Sequence, residues 1–249
     1  MVDSIVLPAD LHTIIGADRA GRISQSSGCA RLCTEHHLLF DYPTAAQAEN
    51  AAARLNWLSA HAPTPEVAAR HETWLVTTRP DGQSAGDPEL HAEPGHLASR
   101  LAKALRQIHS IDPDSCPYSR TWQDYAAAIN VAIKARTINP EQLPDPYCRY
   151  TVVELEEMFA SGRPPVEDSV VALGAPTVDD FYFEGDALTG IIPGPTLGVA
   201  ERNADLAWLH RGVRENYGDE AVFSYYDSYG PGENLVAIDN FFLASILLA

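Results

Sequence analysis

The sequence predicts an α+β fold, because strand-like segments are concentrated in its first eighty residues and helix-like segments follow them. The strand signals are apolar runs in residues 22–42 and at Trp74–Thr78. Helices are predicted at Leu97–His109, whose apolar residues share one face, and at Trp122–Ala135 and Val152–Phe159. The chain has 249 residues, 45% of them apolar, which is enough for one large domain or for two lobes with proper cores.

Composition and charge exclude several classes of function. The net charge of −17 argues against a nucleic-acid ligand, whose phosphates would be repelled over most of the surface. The same charge suits a cationic ligand, although ordinary solubility explains it as well. No run of eighteen apolar residues is present and the first residues lack the pattern of a signal peptide, so neither a membrane span nor export is expected. The four cysteines form no CxxC pair, which favours thiols in a reducing cytoplasm.

The elements of the first eighty residues follow from local signals. Residues 22–42 predict two or three strands joined by loops of small residues. Residues 45–60 are rich in alanine and predict a helix that ends before Pro63. Trp74–Thr78 predicts a buried strand, and residues 79–82 predict the turn after it.

The later half of the chain contains a strand, a hairpin and further helices. Val170–Leu173 is a short apolar strand that Gly174 ends, and Glu184–Asp186 is the turn of a hairpin. Asn203 is the predicted cap of the helix that follows. The apolar residues 243–249 at the end of the printed sequence are expected to pack on a core or on a partner.

Residues 170–207 resemble the catalytic segment of the aminoglycoside 3′-phosphotransferases, which are small-molecule kinases with a protein-kinase-like fold. Family members carry V-V-x-H-G-D-x-x-x-x-N, then a hairpin, I-D-x-G-R-x-G-x-A-D-R and D-[LI]-A. The framework residues of these motifs are present here as Val170, Val171, Gly174, Ile192, Gly198, Ala200, Arg202, Asp205 and Ala207. Residues 109–118 also resemble the family's L-H-x-[LI]-D-P-x-x-C-P-[FY].

The resemblance implies a two-lobed, protein-kinase-like α+β fold. Residues 1–82 correspond to the N-terminal, nucleotide-binding-like lobe, which is small and rich in β-strands. Residues 83–249 correspond to the C-terminal, substrate-binding and catalytic-like lobe, which is larger and helical.

The residues that carry the chemistry of the family are altered. Leu173 replaces a histidine, Ala175 replaces the catalytic-base aspartate, and Pro193 replaces a metal-binding aspartate. Tyr42 and Ala51 replace the lysine and the glutamate that form an ion pair at the phosphates. Phosphoryl transfer requires a carboxylate that orients the acceptor hydroxyl and metal ions that bridge phosphate oxygens. Ala175 and Pro193 supply neither of these groups.

The resemblance also implies positions for ligands. Asp180 replaces a metal-binding asparagine, and its carboxylate is the one remaining magnesium ligand. The positions of the nucleotide site are Ser26, Ser27, Gly28, Tyr42 and Thr78. The positions of the substrate site are Glu141, Asp145, Arg211 and Asp239.

Two functions remain open at this point. The first is a pseudokinase without cofactor that acts as a binding or regulatory module for a small cationic molecule or a protein partner. The alternative is an active ATP- and magnesium-dependent phosphotransferase with relocated groups, in which Asp179 is the base and Asp180 a metal ligand. The first hypothesis predicts that the chain's own side chains fill the former phosphate site, with Tyr42, Leu173 and Pro193 at its border.

Overall fold

The structure of the protein is a computed structural model that describes residues 20–26, 29–163, 168–231 and 234–248, together with Pro8, Leu11 and Ile15. No helix within these described ranges is long and apolar enough to cross a membrane.

A five-stranded antiparallel sheet forms the first lobe. Its strands are β1 (Ala20–Ser26), β2 (Cys29–Thr34), β3 (His37–Asp41), β4 (Val67–His71) and β5 (Trp74–Thr78). Their order across the sheet is β1-β2-β3-β5-β4. The segment in which two or three strands are predicted thus contains three, and β5 has the predicted bounds.

A helix packs against one side of this sheet. The helix α1 (Ala45–Leu58) packs against β4 and β5 and begins after Thr44, whose hydroxyl accepts the N–H of Gln47 at 3.2 Å. It ends two residues before the predicted end. Its buried face consists of Ala48, Ala51, Leu55 and Leu58.

The alternation of side chains along β3 divides the core of the first lobe into two layers. Leu38 and Phe40 belong to a cluster that includes residues of α1, whereas Leu39 packs with Leu32 and Trp74 on the other side. All three β3 residues are buried.

Short strands of the second lobe form two further sheets. They are β6 (Gln83–Ser84), β7 (Ser169–Ala172), β8 (Phe181–Glu184), β9 (Ala187–Ile191) and β10 (Gly198–Glu201). The strands β8 and β9 form the predicted hairpin, β6 pairs with β8, and β7 pairs with β10. Residues 78–84, which include β6, form the connector between the lobes. The pairing of β6 with β8 attaches this connector to the second lobe. The lobe boundary at residue 82 stays a prediction.

Helices make up most of the second lobe. They are α2 (Pro94–His109), α3 (Trp122–Ala135), α4 (Val152–Ser161), α5 (Arg202–Tyr217), α6 (Asp219–Tyr229) and α7 (Leu235–Leu247). The helix α2 lies against α6, and α7 lies against α3, α4 and α5. Leu243 and Leu247, from the apolar end of the sequence, are buried in the core of this lobe. The predicted α+β fold, with a β-rich first lobe and a helical second lobe, is confirmed.

The predicted cap of α5 is wrong by two residues. The helix begins at Arg202, and the carboxylate of Glu201 accepts the N–H of Asn203 at 2.8 Å. Asn203 lies inside the first turn, is buried, and accepts the N–H of Asn234 with its side-chain oxygen. A longer carboxylate two positions earlier therefore reaches the donors that Asn203 was expected to satisfy.

Candidate functional site

A buried carboxylate holds the loop that contains the altered catalytic positions. Asp205 Oδ2 accepts the backbone N–H of Leu173 at 2.5 Å, and Asp205 Oδ1 accepts that of Gly174 at 3.2 Å. His109 Nε2 lies 3.4 Å from Asp205 Oδ2, and His109 Nδ1 lies 2.7 Å from the Tyr229 hydroxyl. The side chains of Asp205 and His109 are almost completely buried. The frame of the loop is therefore intact and rigidly held.

Positions 173 and 175 of the loop carry no carboxylate. Leu173 is fully buried in the core of the second lobe, and its carbonyl accepts the N–H of Gly194 at 3.1 Å. Ala175 stands at the position that the motif resemblance gives to the catalytic base, and its methyl group accepts no proton. Its backbone has φ of 68°, in the left-handed region that disfavours residues with a Cβ atom.

This conformation of Ala175 leads to a stability prediction. An Ala175→Gly variant is expected to gain about 0.5–1 kcal/mol in the free energy of unfolding, because the relief of left-handed strain exceeds the extra backbone entropy of glycine. Urea unfolding measures the change. The control Ala53→Gly lies in an exposed part of α1 and is expected to lose about 1 kcal/mol. A loss at both positions would contradict the strain at Ala175.

Asp180, the remaining candidate metal ligand, is engaged by the chain itself. Its Oδ1 accepts a hydrogen bond from Arg31 Nη1 at 3.2 Å. Its Oδ2 accepts the backbone N–H and the hydroxyl of Thr177 at 2.7 and 2.9 Å. Both residues of the ion pair are buried, with 2% of Arg31 and none of Asp180 exposed. Burial alone would lower the pKa of Arg31, but Asp180 and its other neighbours outweigh burial and raise that pKa.

Asp179 has the same cationic partner. Its Oδ2 lies 3.4 Å from Arg31 Nη2, and its carbonyl accepts Arg31 Nη1 at 3.1 Å. The hydroxyl of Ser84 donates to the carbonyl of Asp179 at 3.1 Å. A Cβ atom at Gly86 would come within 1.8 Å of Asp179 Oδ1, so the carboxylate packs tightly against the backbone that follows β6. This placement argues against Asp179 as a relocated base, since Arg31 and the Ser84 hydroxyl already contact its two carboxylate oxygens.

A divalent metal ion does not fit this arrangement. The guanidinium of Arg31 already holds the two neighbouring carboxylates, and Pro193 is buried without a ligand atom in its side chain. Asp41, the carboxylate that directly precedes Tyr42 in sequence, accepts a hydrogen bond from the Thr73 hydroxyl at 2.8 Å. Among the described residues, no three His, Cys, Asp or Glu side chains lie close enough together to hold a metal.

Tyr42, at the position that the motif resemblance gives to the family's lysine, is buried. Its ring is 4% exposed and packs in a cluster with Ala51 of α1. Tyr182 and Ile192 of the second lobe complete this cluster, so apolar side chains of both lobes meet there. The Tyr42 hydroxyl bonds to the thiol of Cys29, and burial is the main cause that raises the pKa of Tyr42.

These positions agree only in part with the expected border of a closed site. Tyr42 and Pro193 are both buried, as the first hypothesis requires. Leu173 does not join Tyr42, because it belongs to the separate core of the second lobe. Burial and the nearby Asp180 carboxylate raise the pKa of the Cys29 thiol to about 12.

The connector between the lobes has few backbone N–H groups available to bind the adenine ring of a nucleotide. The N–H of Thr78 donates to the carbonyl of Glu66 at 2.9 Å, and that of Arg79 donates to His36 at 2.7 Å. Pro80 has no N–H at all. Ser26 lies in β1, whereas the predicted nucleotide-site residues Ser27 and Gly28 lie outside the described residues.

The predicted substrate residues come together only in part. Asp145 and Arg211 line one cavity of about 400 Å³, whose other lining residues are Gln142, Pro144, Arg214, Glu215, Phe242 and Ile246. Glu141 and Asp239 are exposed and do not line this cavity. The two lining carboxylates already have arginine partners: Asp145 lies 2.6 Å from Arg149, and Glu215 lies 2.9 Å from Arg211. The cavity is therefore less acidic than a polycation site requires.

The architecture and this site can be compared with known proteins. The model of a family described as "Phosphotransferase enzyme family" matches residues 36–237, which is most of the chain. The chain belongs to this phosphotransferase family. The matched residues include elements of both lobes.

Curated relatives of this phosphotransferase-family chain include two aminoglycoside 3′-phosphotransferases. That of Niallia circulans is 26% identical over 67% of this chain and 64% of its own length. That of Escherichia coli is 28% identical over 63% of this chain and 60% of its own length. The chain thus matches somewhat less than two thirds of the length of these relatives.

Solved structures show the same fold. An aminoglycoside 3′-phosphotransferase of type VIII has a TM-score of 0.79 at 22% identity, with 96% of each chain covered. An aminoglycoside phosphotransferase of Streptomyces rimosus, in complex with ADP and streptomycin, has a TM-score of 0.73 at 20% identity. That match covers 97% of this chain and 98% of the other. The protein-kinase-like fold implied by the resemblance is confirmed, and both lobes are included.

The sequence-based prediction missed several residues of the phosphotransferase-family site. Arg31, Cys29 and Pro80 had no assigned role. One signal for Arg31 is present in the sequence, since it is the single charged residue of the strand Cys29–Thr34. An arginine in such a strand requires a buried carboxylate partner, and the strand itself contains none.

Proposed function

We propose that this member of the phosphotransferase family transfers no phosphate and acts as a binding or regulatory module. The observation that supports this most directly is the buried contact of Arg31 with Asp179 and Asp180. Phosphoryl transfer requires a metal ion at the phosphates and a carboxylate at the acceptor hydroxyl. Here an arginine holds the remaining carboxylates, and Ala175 stands at the position of the base.

Nucleotide binding is expected to be weak or absent for the same reasons. The S. rimosus relative holds ADP and streptomycin. In this chain Tyr42 is packed between the lobes, and the connector residues Thr78, Arg79 and Pro80 offer no N–H to the adenine ring of a nucleotide. We therefore infer that neither ATP nor magnesium is a cofactor of this protein.

The ligand of the module is proposed to be a small cationic molecule or a protein partner. The net charge of −17 is compatible with a positively charged partner. None of the four cysteines, all of which lie in the described part of the chain, forms a disulfide, in keeping with a reducing cytoplasm as the proposed location.

Two measurements on the purified protein test the proposed inactivity. With ATP and magnesium, kanamycin is expected to gain no phosphate above a sample without protein. A nucleotide present at a hundred times its Kd would stabilise the fold by about 2.7 kcal/mol, which is a Tm rise of roughly 5–10 °C. We expect no such rise with Mg-ATP.

The control for turnover is an Asp179→Ala variant. Phosphate transfer to kanamycin that is lost in this variant would contradict the inactive state and support an enzyme with relocated groups. A magnesium-dependent rise in Tm with ATP would separately contradict the closed nucleotide site.

A further inference from the structure

We propose that Arg31 is a resident cation that takes the place of a metal ion between the lobes and fastens them together. This rests on the proposed function, because both require that Asp179 and Asp180 hold no metal. It adds a specific role for a residue to which the family resemblance gives none.

The contacts of Arg31 cross from one lobe to the other. Arg31 lies on β2 of the first lobe, and Asp179 and Asp180 lie in the turn before β8 of the second. The residues are 148 and 149 positions apart in sequence. One guanidinium reaches an oxygen of each carboxylate and the carbonyl of Asp179, all within 3.4 Å. Its two terminal nitrogens therefore bridge two different carboxylates, which the planar guanidinium with its several donors allows.

The two carboxylates need a positive charge. Asp179 and Asp180 are adjacent, and their side chains are only 18% and 1% exposed. Two carboxylates at such a short distance and so far from water repel each other and are costly to keep charged. Thr177 donates to Asp180 Oδ2 but carries no charge, whereas Arg31 brings a positive charge to both carboxylates.

A covalently attached cation changes how the lobes are coupled. A metal ion binds and leaves with its ligand, so that the contact between lobes depends on the ligand. Arg31 cannot leave, and its contact persists without any bound molecule. The lobes are therefore fixed in one arrangement, and the carboxylates are a cation site that becomes available only when the charge at position 31 is removed.

A matched pair of variants tests this role. Arg31→Gln removes the charge but keeps two N–H donors, whereas Arg31→Lys keeps the charge but loses the planar guanidinium that reaches both carboxylates. We expect Arg31→Gln to lower Tm by about 10 °C and millimolar Ca²⁺ to restore at least half of the loss. Arg31→Lys is expected to lower Tm less and to gain no response to Ca²⁺. The wild-type protein is also expected to show no response.

Mn²⁺ binding, followed by electron paramagnetic resonance, gives a second readout. Only Arg31→Gln is expected to bind Mn²⁺ more tightly than the wild-type protein, by tenfold or more. The control Arg202→Gln removes the partner of Asp168, which lies 2.7 Å away in the same lobe, and is expected to gain no binding. Adding Asp179→Asn and Asp180→Asn to Arg31→Gln is expected to abolish the gain.

The results separate this role from the proposed function. An unchanged Tm in Arg31→Gln, or an equal Ca²⁺ response in the Gln and Lys variants, would overturn the role of Arg31 as resident cation. If Arg31→Gln does not fold, a Ca²⁺ response in Arg31→Lys would overturn it, and folding of Arg31→Lys without such a response would support it. Phosphate transfer by the wild-type protein would instead overturn the proposed inactivity.

Discussion

An Asp205→Ala variant is expected to lose about 4 kcal/mol or more in the free energy of unfolding. Its carboxylate accepts the N–H groups of Leu173 and Gly174 and contacts His109. Alanine leaves these donors buried without an acceptor, and each costs about 1–3 kcal/mol. The loss is therefore expected to be among the largest for a single polar residue of this protein, and urea unfolding measures it.

Two further variants show whether the acceptor is the cause. Asp205→Asn keeps one accepting oxygen and is expected to lose about half as much. Asp219→Ala removes the exposed partner of Arg214 and is expected to change the stability by less than about 1 kcal/mol. Equal losses in Asp205→Ala and Asp219→Ala would show that the loop frame does not depend on this carboxylate.

Tyr42→Lys, which restores the residue of the family motif, is expected to destabilise the protein by about 3–5 kcal/mol and to restore no nucleotide binding. The substitution replaces a ring that packs with Ala51, Tyr182 and Ile192 by an ammonium group. Arg31 already pairs with Asp180, so the new charge has to compete for its partner. Urea unfolding measures the loss, and melts with Mg-ATP measure binding.

The control for this variant is Tyr42→Phe. It keeps the ring and removes only the hydroxyl that bonds to Cys29, so a loss of about 1 kcal/mol or less is expected. A stable Tyr42→Lys protein whose Tm rises with Mg-ATP would show that the cleft opens easily and that its closure depends on this one ring.

Local patterns were sufficient to predict most elements of the fold. The apolar spacing in α2 and the hairpin between β8 and β9 depend on neighbouring residues, so the sequence alone contains their signals. The family motifs also identified Asp205 and Gly174 as framework residues of the catalytic segment. The cap of α5 was misplaced because Glu201 and Asn203 both carry suitable acceptors, and only the geometry decides between them.

Long-range contacts explain what sequence reasoning missed at the site. Arg31 was not predicted because its partners are almost 150 residues away, and no local pattern indicates which carboxylate a buried arginine meets. The ion pair of Asp145 with Arg149 is local in sequence, but only the structure shows that it reduces the negative charge of the cavity that Asp145 lines. The lobes could thus be predicted and the contact between them could not.

The distance in sequence between Arg31 and its carboxylates also affects the order of events on the ribosome. The five strands of the first lobe are complete at Thr78, about a hundred residues before Asp179 is synthesised. Until then, the Arg31 guanidinium has neither of the carboxylates that it meets in the complete fold. The contact between the lobes is therefore completed late in translation, after all five strands of the first lobe have been synthesised.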